Sequence, residues 1–354
     1  MTTDGTASAR PRLVDVAERA GVSTATASLV LRGRPGPSAS TGDAVRAAAA
    51  DLGYRPDRTA SLLARRRTHL LGVLLDVTSP FHADLVRALD TASADRGLDL
   101  VLGTTTPRTD EHRAAETLLD FRCEALVVLG PQMSDAGLDA LAESCPVVAI
   151  GRAGTSRVVG VLAADDQGLE AAVDHLASMG HRRIAFADGP RGSISRARRQ
   201  GYRDAMARHG IGAHADVVRG GRTEADGAVA AHRLLSRPRP DRPTAVVCFN
   251  DRVAIGLRDA LVRAGVRVPE DVSVVGYDDS PLARLGTVDL TSLSQEPEAL
   301  AEATVAVLAA LLDGAEAQQG SDAGGPVEDV VISPRLVVRS STGPPPSSAG
   351  PAQG

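Results

Sequence analysis

Polar and aromatic side chains follow several apolar runs of this sequence, at places where they could bind a small molecule. In an open sheet of parallel strands, ligands bind beyond the carboxyl ends of the strands. A ring that carries several hydroxyl groups needs carboxylate, amide and guanidinium partners, and an aromatic ring against its flat face. The candidates for such a site are Asp76, Ser79, Phe81, Arg152, Asn250, Asp251 and Asp278. Each also has a structural alternative, such as capping a turn or lying at the surface.

The common catalytic motifs are missing from the same sequence. It contains no GxSxG, HExxH, GxxxxGK[ST] or CxxC segment, and its eight histidines have no spacing that requires chemistry. Cys123, Cys145 and Cys248 lie in or beside apolar runs, so we expect buried, reduced thiols. We therefore predict a binding protein that is not an enzyme and needs no cofactor or metal.

Strand-like apolar runs alternate with helical segments, as where "LLGVLLDV" is followed by "HADLVRALDTASADRG". Strands that are apolar on both faces are typical of a parallel sheet covered on two sides. About 270 residues of this pattern exceed one sheet, so we expect two α/β lobes. The predicted bounds are 69–162 with 292–325 for the N-terminal lobe, and 163–291 with 326–340 for the C-terminal lobe.

The charge of the chain is distributed unevenly. Residues 1–70 contain 11 Arg and 6 acidic residues, whereas the remainder contains 28 Arg and 38 acidic residues, and no Lys occurs. A basic N-terminal segment favours a polyanionic partner. Residues 1–10 and 341–354 are rich in Pro, Gly, Ser and Ala, so we expect disordered tails there. The N-terminus has no apolar signal core and the chain has no membrane span, which favours a cytoplasmic location.

Two short amphipathic helices are predicted within the basic segment. Gly21 can adopt the left-handed backbone that ends the first helix, and Ser23 is a suitable N-cap for the second. Two helices joined by such a turn form a helix-turn-helix, whose second helix enters the major groove of DNA. An ordinary αα-hairpin in a small bundle is the alternative. The first helix buries a stripe formed by Leu13, Val16, Ala17 and Ala20.

In "RLVDVAERAGVSTATASLVLRG" and "LGYRPDRTASLLARRRT" the chain resembles the head of the lactose/galactose-repressor (LacI/GalR) family of bacterial transcription regulators. The resemblance continues through "SPFHADLVRAL", "HLASMGHRRIAFADGP", "CFNDRVAIG", "VPEDVSVVGYDDSPLA" and "LTSLSQEP". It implies a helix-turn-helix head at 11–56, a hinge helix or linker at 57–68, and a two-lobed periplasmic-binding-protein-like effector domain. A periplasmic-type sugar-binding protein shares the two-lobed plan but not the basic head.

The function implied is sequence-specific DNA binding. Family members act as homodimers on palindromic double-stranded operators, most often as repressors of carbohydrate-utilisation genes that a small sugar-type effector releases. A corepressor-dependent regulator, and a sugar- or nucleoside-binding module with vestigial DNA binding, are the alternatives.

The resemblance also assigns DNA-binding residues. Thr24, Ala25 and Leu29 match base-reading positions, while Ser23, Thr26 and Ser28 match positions that bind phosphates. Leu63 matches the hinge leucine that enters the minor groove, although this stretch could also be an ordinary basic linker. Leu29 and Gly42 stand where many members have Arg, which weakens the predicted DNA binding. Further DNA-binding candidates are Arg32, Tyr54 and Arg58.

Effector-binding residues follow from the resemblance in the same way. Arg198 matches the family's effector-binding arginine, and Asn250 and Asp278 match its amide and carboxylate that contact hydroxyl groups. Phe81 and His82 match a pair of positions that cover a ring. Gln295, in "LTSLSQEP", is a further candidate.

Overall fold

The computed structural model describes residues 11–31, 33–54, 67–317 and 328–346. The chain forms two compact units, which meet between Thr68 and His69 in sequence. The predicted tail at 1–10 and most of the predicted hinge, together with Arg32, Arg58 and Leu63, lie outside the described residues. In the first unit the helices are α1 (Leu13–Ala20), α2 (Thr24–Leu31) and α3 (Ala39–Asp51).

The turn between α1 and α2 has the geometry that its residues favour. Gly21 has a φ of 67°, and its N–H closes the end of α1 on the carbonyl of Glu18 at 3.2 Å. Ser23 Oγ accepts a hydrogen bond from the N–H of Thr26 at 3.1 Å and so caps α2. The three helices enclose a small core formed by Val16, Ala17, Ala27, Val30, Val45, Ala48 and Ala49.

The second unit contains two sheets, each with six strands among the described residues. The order is β11-β5-β4-β3-β1-β2 in the first sheet and β12-β10-β9-β8-β6-β7 in the second. All pairings are parallel except that of β12 with β10. The strands are β1 (Leu70–Asp76), β2 (Asp99–Thr105), β3 (Ala125–Leu129), β4 (Val147–Ile150), β5 (Val159–Ala163), β6 (Ile184–Asp188), β7 (Asp216–Arg219), β8 (Ala245–Cys248), β9 (Ser273–Asp278), β10 (Thr291–Ser294), β11 (Val330–Ile332) and β12 (Arg335–Val337).

Helices cover both faces of each sheet, as strands that are apolar on both sides require. Separate cores form on opposite faces: Leu89 and Leu308 belong to one core of the first lobe, and Leu118 and Leu138 belong to the other. The helices are α4 (Pro80–Ala94), α5 (Glu111–Asp120), α6 (Asp135–Ala142), α7 (Asp165–Ser178), α8 (Ser193–Arg208), α9 (Glu224–Leu235), α10 (Asp251–Arg263) and α11 (Pro297–Ala317), with 3₁₀ turns at Gly212–His214 and Arg239–Asp241. No helix in the described ranges is long and apolar enough to cross a membrane.

Along residues 69–317 and 328–346 the structure shows three passages between the two lobes, and two of the predicted positions need correction. The first crossing follows β5, close to residue 162. The second follows β10, which pairs with β9, so residues 292–294 belong to the C-terminal lobe. The third lies near Pro334 rather than 326, because β11 pairs with β5 of the N-terminal lobe. The segment "VVISPRLVV" holds two three-residue strands that belong to different sheets, and its apolar pattern alone does not separate them.

The prediction of a disordered tail from residue 341 is wrong for residues 341–346. Ser341 is buried, and its hydroxyl donates to the carbonyl of Val274 at 2.6 Å. The carbonyl of Gly343 accepts a hydrogen bond from Nε2 of the buried His181 at 2.8 Å. The Pro/Ser/Gly composition predicts disorder because composition alone does not reveal hydrogen bonds to distant residues of the C-terminal lobe. Residues 347–354 lie outside the described part.

Candidate functional site

The exposed side of α2 carries small hydroxyl and apolar side chains. Ser23, Thr24 and Ala25 are exposed at its N-terminal end, and Leu29 is 41% exposed one turn later. The Ser23 hydroxyl lies 2.9 Å from that of Thr26, and Ser28 is half-buried. This side therefore presents hydroxyl groups and helix N–H groups, which suit phosphate oxygens, and one exposed leucine.

Tyr54 lies at the end of this unit. Its side chain packs partly against the three-helix core, and its N–H donates to the carbonyl of Ala49 at 2.8 Å. The structure thus gives Tyr54 a packing role, and its contact with DNA stays a prediction.

A cavity of about 370 Å³ lies in the second unit between the two lobes, at the carboxyl ends of their strands. Its volume is within the range of about 300–1,000 Å³ that is common for small-molecule sites. Eight of the predicted effector-binding residues line it: Asp76, Ser79, Phe81, His82, Arg198, Asn250, Asp278 and Gln295.

On the N-terminal lobe, the turn from β1 into α4 forms the cavity wall. Ser79 caps α4 by accepting a hydrogen bond from the N–H of His82 at 3.4 Å. The N–H of Asp76 donates to Nδ1 of His82 at 3.1 Å, and the Asp76 carboxylate accepts from both the N–H and the hydroxyl of Thr78 at 2.8 Å. Burial lowers the pKa of His82 to about 4, despite the opposing charge of Asp76. His82 is therefore neutral, and because Nδ1 accepts, its proton is on Nε2.

On the C-terminal lobe, the deepest charge is Arg198, which is 3% exposed. Its Nε donates to Oδ1 of Asp165 at 2.8 Å, and its guanidinium carbon lies 3.5 Å from the centre of the Tyr277 ring. The Tyr277 hydroxyl donates to the same Asp165 oxygen at 2.7 Å. The guanidinium also donates to the carbonyl of Phe249. The Asp165 carboxylate, the Tyr277 ring and the Phe249 carbonyl together fix Arg198 in one orientation.

Asp278, Gln295 and Asn250 lie beside this arginine. Asp278 has a φ of 113°, a strained conformation for a residue with a side chain, and strain of this kind is found preferentially at functional sites. Gln295 Nε2 donates to Oδ1 of Asp278 at 2.7 Å. Burial, followed by the charge of Asp251, raises the pKa of Asp278 well above its usual range. The Asn250 amide caps α10 through the N–H of Val253 at 2.9 Å.

The structure does not bring Arg152 and Asp251 into the cavity, and both predictions are corrected. Arg152 turns away and donates to the carbonyl of Met133 at 3.0 Å while pairing with Asp135. The buried Asp251 carboxylate accepts hydrogen bonds from Ser292 Oγ at 2.5 Å and from the N–H of Ser280 at 2.7 Å. Both residues follow a strand, but position after a strand does not determine which way a side chain points.

Several residues that line the cavity were not predicted from the sequence. Arg252 pairs with Glu224 through Nε at 2.8 Å, and its Nη1 donates across the cleft to the carbonyl of Thr78 at 2.9 Å. Arg222 follows β7, whose run "DVVR" is too short and too polar to read as a strand from the sequence. The polar residues missed are Thr78, Thr105, Glu111, Gln132, Asp165, Arg222, Thr223 and Arg252.

Two segments of the chain match described families. Residues 12–57 match "Bacterial regulatory proteins, lacI family", and residues 173–342 match "Periplasmic binding protein-like domain". The chain is similar to the HTH-type transcriptional regulator GalR of Escherichia coli K12, with 34% identity over 94% of this chain and 95% of that protein. It is also similar to the ribose operon repressor of the same strain, with 35% identity over 83% of this chain and 91% of that protein.

Solved structures of transcriptional regulators are also similar to this chain. A LacI transcriptional regulator from a Rhodococcus species is 45% identical, with a TM-score of 0.71 over 78% of this chain and 98% of that one. The lac repressor dimer bound to operator and the anti-inducer ONPF is 28% identical, with a TM-score of 0.76 over 95% of this chain and 100% of that one. A transcriptional regulator CelR–cellobiose complex is 30% identical, with a TM-score of 0.66 over 94% of this chain and 100% of that one.

Proposed function

The chain belongs to the lacI family of bacterial regulatory proteins, and from this premise we propose that it represses transcription from a palindromic operator until a sugar-type effector binds between its lobes. The observation that carries the proposal is the presence, in one chain, of a helix-turn-helix unit and a two-lobed unit whose cavity is lined by eight predicted residues. The relatives are transcriptional regulators rather than enzymes, and this chain is a DNA-binding regulator of the same kind.

The DNA contacts proposed are those of α2. Thr24, Ala25 and Leu29 contact base edges, since their side chains are exposed on one side of the helix. Leu29 meets an apolar group such as the thymine methyl, because leucine cannot form the paired hydrogen bonds with which arginine recognises guanine. The hydroxyl groups of Ser23, Thr26 and Ser28 bind phosphates and set the position of the helix on the duplex. Arg32, Tyr54, Arg58 and Leu63 remain predicted contacts.

The effector is proposed to be a sugar or a sugar derivative. Asp278, Asn250 and Arg198 supply hydrogen-bonding groups of three kinds on one lobe, while Phe81 supplies an apolar surface on the other. The regulator CelR, whose structure contains cellobiose, and the ribose operon repressor support this class of ligand.

Regulation follows from linkage between the two binding events. A ligand that contacts both walls of the cavity favours the lobe arrangement in which both sets of contacts are made. The lac repressor binds its operator as a dimer. In a homodimer of this chain, a change in the lobe arrangement would alter the spacing of the two DNA-binding segments and therefore the operator affinity. A corepressor would act through the same coupling with the opposite sign.

The test combines selection of DNA with measurement of affinity. Duplexes bound by the full chain are selected from a random pool, and the recovered palindrome is compared with a scrambled duplex by fluorescence anisotropy. We expect a preference of about 10³-fold or more, a strong decrease in affinity with salt, and a change of about 10-fold or more with one sugar of a panel.

A second candidate is a ligand-binding module with vestigial DNA binding. It is favoured by α2, whose sequence "TATASLVL" has no charged residue, and by Gly42, which stands where the family resemblance implies an Arg. Micromolar or weaker binding without preference for any duplex would support this candidate and contradict the repressor.

A further inference from the structure

Arg222 differs from the other arginines that line the cavity because its guanidinium forms no ion pair within the described ranges of the chain. Arg198 is paired with Asp165 at 2.8 Å, and Arg252 is paired with Glu224 at 2.6 Å. The Arg222 guanidinium forms no hydrogen bond or ion pair with any residue that the structure describes. Its side chain is half-buried, so its charge is directed to the cavity rather than fully to solvent.

The backbone of Arg222 is fixed by two side chains. Its carbonyl accepts a hydrogen bond from Nδ2 of Asn250 at 3.1 Å, and its N–H donates to Oδ2 of Asp226 at 3.0 Å. The same Asp226 oxygen accepts from the N–H of Thr223, the cap of α9, at 3.0 Å. The backbone of Arg222 is therefore already ordered before a ligand binds, so binding does not carry the entropic cost of ordering it.

The carboxylates that line the cavity are already engaged with other groups. Glu111 accepts hydrogen bonds from the N–H groups of Gln132 and Met133 at 2.8 and 2.7 Å. Asp165 accepts a hydrogen bond from Nε of Arg198, and Asp76 accepts one from the hydroxyl of Thr78. Asp278, the fourth such carboxylate, accepts from Nε2 of Gln295 at 2.7 Å. None of these four carboxylates forms an ion pair with Arg222 in the described part of the chain.

A second hydrogen-bond donor faces the same space from the opposite lobe. Because Nδ1 of His82 accepts from the N–H of Asp76, Nε2 carries the proton and is a donor. Nε2 forms no hydrogen bond with any described residue, although His82 lines the cavity. The charge of Arg222 acts on the imidazole from across the cleft. The first turn of α4, which includes His82, adds the positive end of a helix dipole.

We infer that the effector carries an anionic group, a carboxylate or a phosphate, which Arg222 and Nε2–H of His82 bind from opposite lobes. The inference rests on the proposed sugar-type effector and specifies its class as an acidic sugar. An anion at this place contacts both lobes at once, so it also supplies the link on which the proposed regulation depends.

The test measures binding to matched sugars by calorimetry on the full chain. The panel pairs neutral hexoses with the corresponding uronates and hexose phosphates, so that the two sources of negative charge are separated. The proteins are the wild type, Arg222→Gln, the charge-retaining Arg222→Lys, and Arg196→Gln, which removes an exposed arginine from α8.

We expect at least one acidic sugar to bind the wild type about 10- to 100-fold more tightly than its neutral counterpart. Arg222→Gln should remove this preference, Arg222→Lys should retain part of it, and Arg196→Gln should leave it unchanged. A melting curve for each variant shows that it is folded. A tighter uronate identifies the carboxylate, and a tighter hexose phosphate identifies the phosphate.

Two results would overturn the inference. Equal affinity of the wild type for neutral and acidic sugars, or an unchanged preference in Arg222→Gln, would show that Arg222 does not recognise an anion, while the proposed sugar sensing would stand. Binding of no sugar at all would overturn the sugar-type effector itself, and operator preference would then be judged separately by the anisotropy experiment.

Discussion

The two binding surfaces of this protein are built in opposite ways. Helix α2 presents Thr24, Ala25 and Leu29 without a charged residue, and its exposed side chains make few fixed contacts. The cavity of the two-lobed unit is lined by charged groups: Arg198 is held by Asp165, Tyr277 and Phe249, and Asp278 is held by Gln295. A substitution on α2 should therefore change DNA binding with little effect on folding, whereas a substitution in the cavity should change both ligand binding and stability.

Replacement of the buried cation is expected to have the largest effect. Arg198→Ala removes a buried guanidinium and leaves the largely buried Asp165 without its ion pair, so the free energy of unfolding should fall by about 3–5 kcal/mol, and effector binding should be lost. Arg208→Ala, on the same helix, removes the ion pairs of an exposed guanidinium with Glu170 and Asp174 and should cost about 1 kcal/mol or less. Urea denaturation of both variants measures the difference. Equal, small losses would show that the cavity is no more coupled to folding than the surface.

Protonation of His82 is expected to have the next largest effect. Burial lowers its pKa from 6.5 to about 4, so between these pH values the unfolded chain binds a proton that the folded chain does not. The stability contributed by this residue is complete above pH 6.5 and decreases as the pH falls, by about 2 kcal/mol at pH 5. His82→Gln should lose less stability than the wild type between pH 7.5 and pH 5 in urea titrations. Parallel pH profiles would contradict a neutral, buried imidazole.

Leu29 and Val30, which are adjacent on α2, test whether the proposed DNA-binding surface can be changed without loss of stability. Val30 is buried, so Val30→Ala should lower the stability of the head by about 2 kcal/mol. Leu29→Ala should change stability by less than about 0.5 kcal/mol and yet weaken operator binding about 10-fold. Thermal unfolding and anisotropy on the selected palindrome separate the two. Should Leu29→Ala bind the palindrome as tightly as the wild type, α2 would not read bases through this leucine.

The sequence predicted the elements whose residues carry strong local signals. Gly21 and Ser23 determine the turn before α2, and runs that are apolar on both faces, such as "ALVVLG", determine buried parallel strands. The three-residue strands β11 and β12 were not separated, because so short a run has no periodicity. Residues 341–346 were assigned to a tail since their ordering depends on distant partners such as Val274.

The cavity was predicted less completely than the fold. Position after a strand located Asp76 and Asn250, but it also selected Arg152, whose direction is set by a carbonyl and a carboxylate from a distant segment. Arg222 was missed because β7 is short and polar, so no strand signal preceded it. Which arginine is paired depends on tertiary contacts within the C-terminal lobe, such as those of Arg198 with Asp165 and of Arg252 with Glu224, and these are not encoded by local spacing.

Loss of the hydrogen bond across the cleft is expected to have the smallest effect on stability. It tests whether a cavity residue can change effector affinity without a large change in the free energy of unfolding. Arg252 donates to the carbonyl of Thr78 on the opposite lobe while it pairs with Glu224 on its own. Arg252→Gln should lower the free energy of unfolding by about 1 kcal/mol or less, since the pair is partly exposed. It should nevertheless change effector affinity several-fold, because the approach of the lobes loses one of its hydrogen bonds. Arg263→Gln, which removes an exposed pair with Asp259 from the same helix, should leave effector affinity unchanged. If both variants bind effector equally well, closure of the cleft does not depend on this contact, and the link between the lobes must be made by the ligand alone.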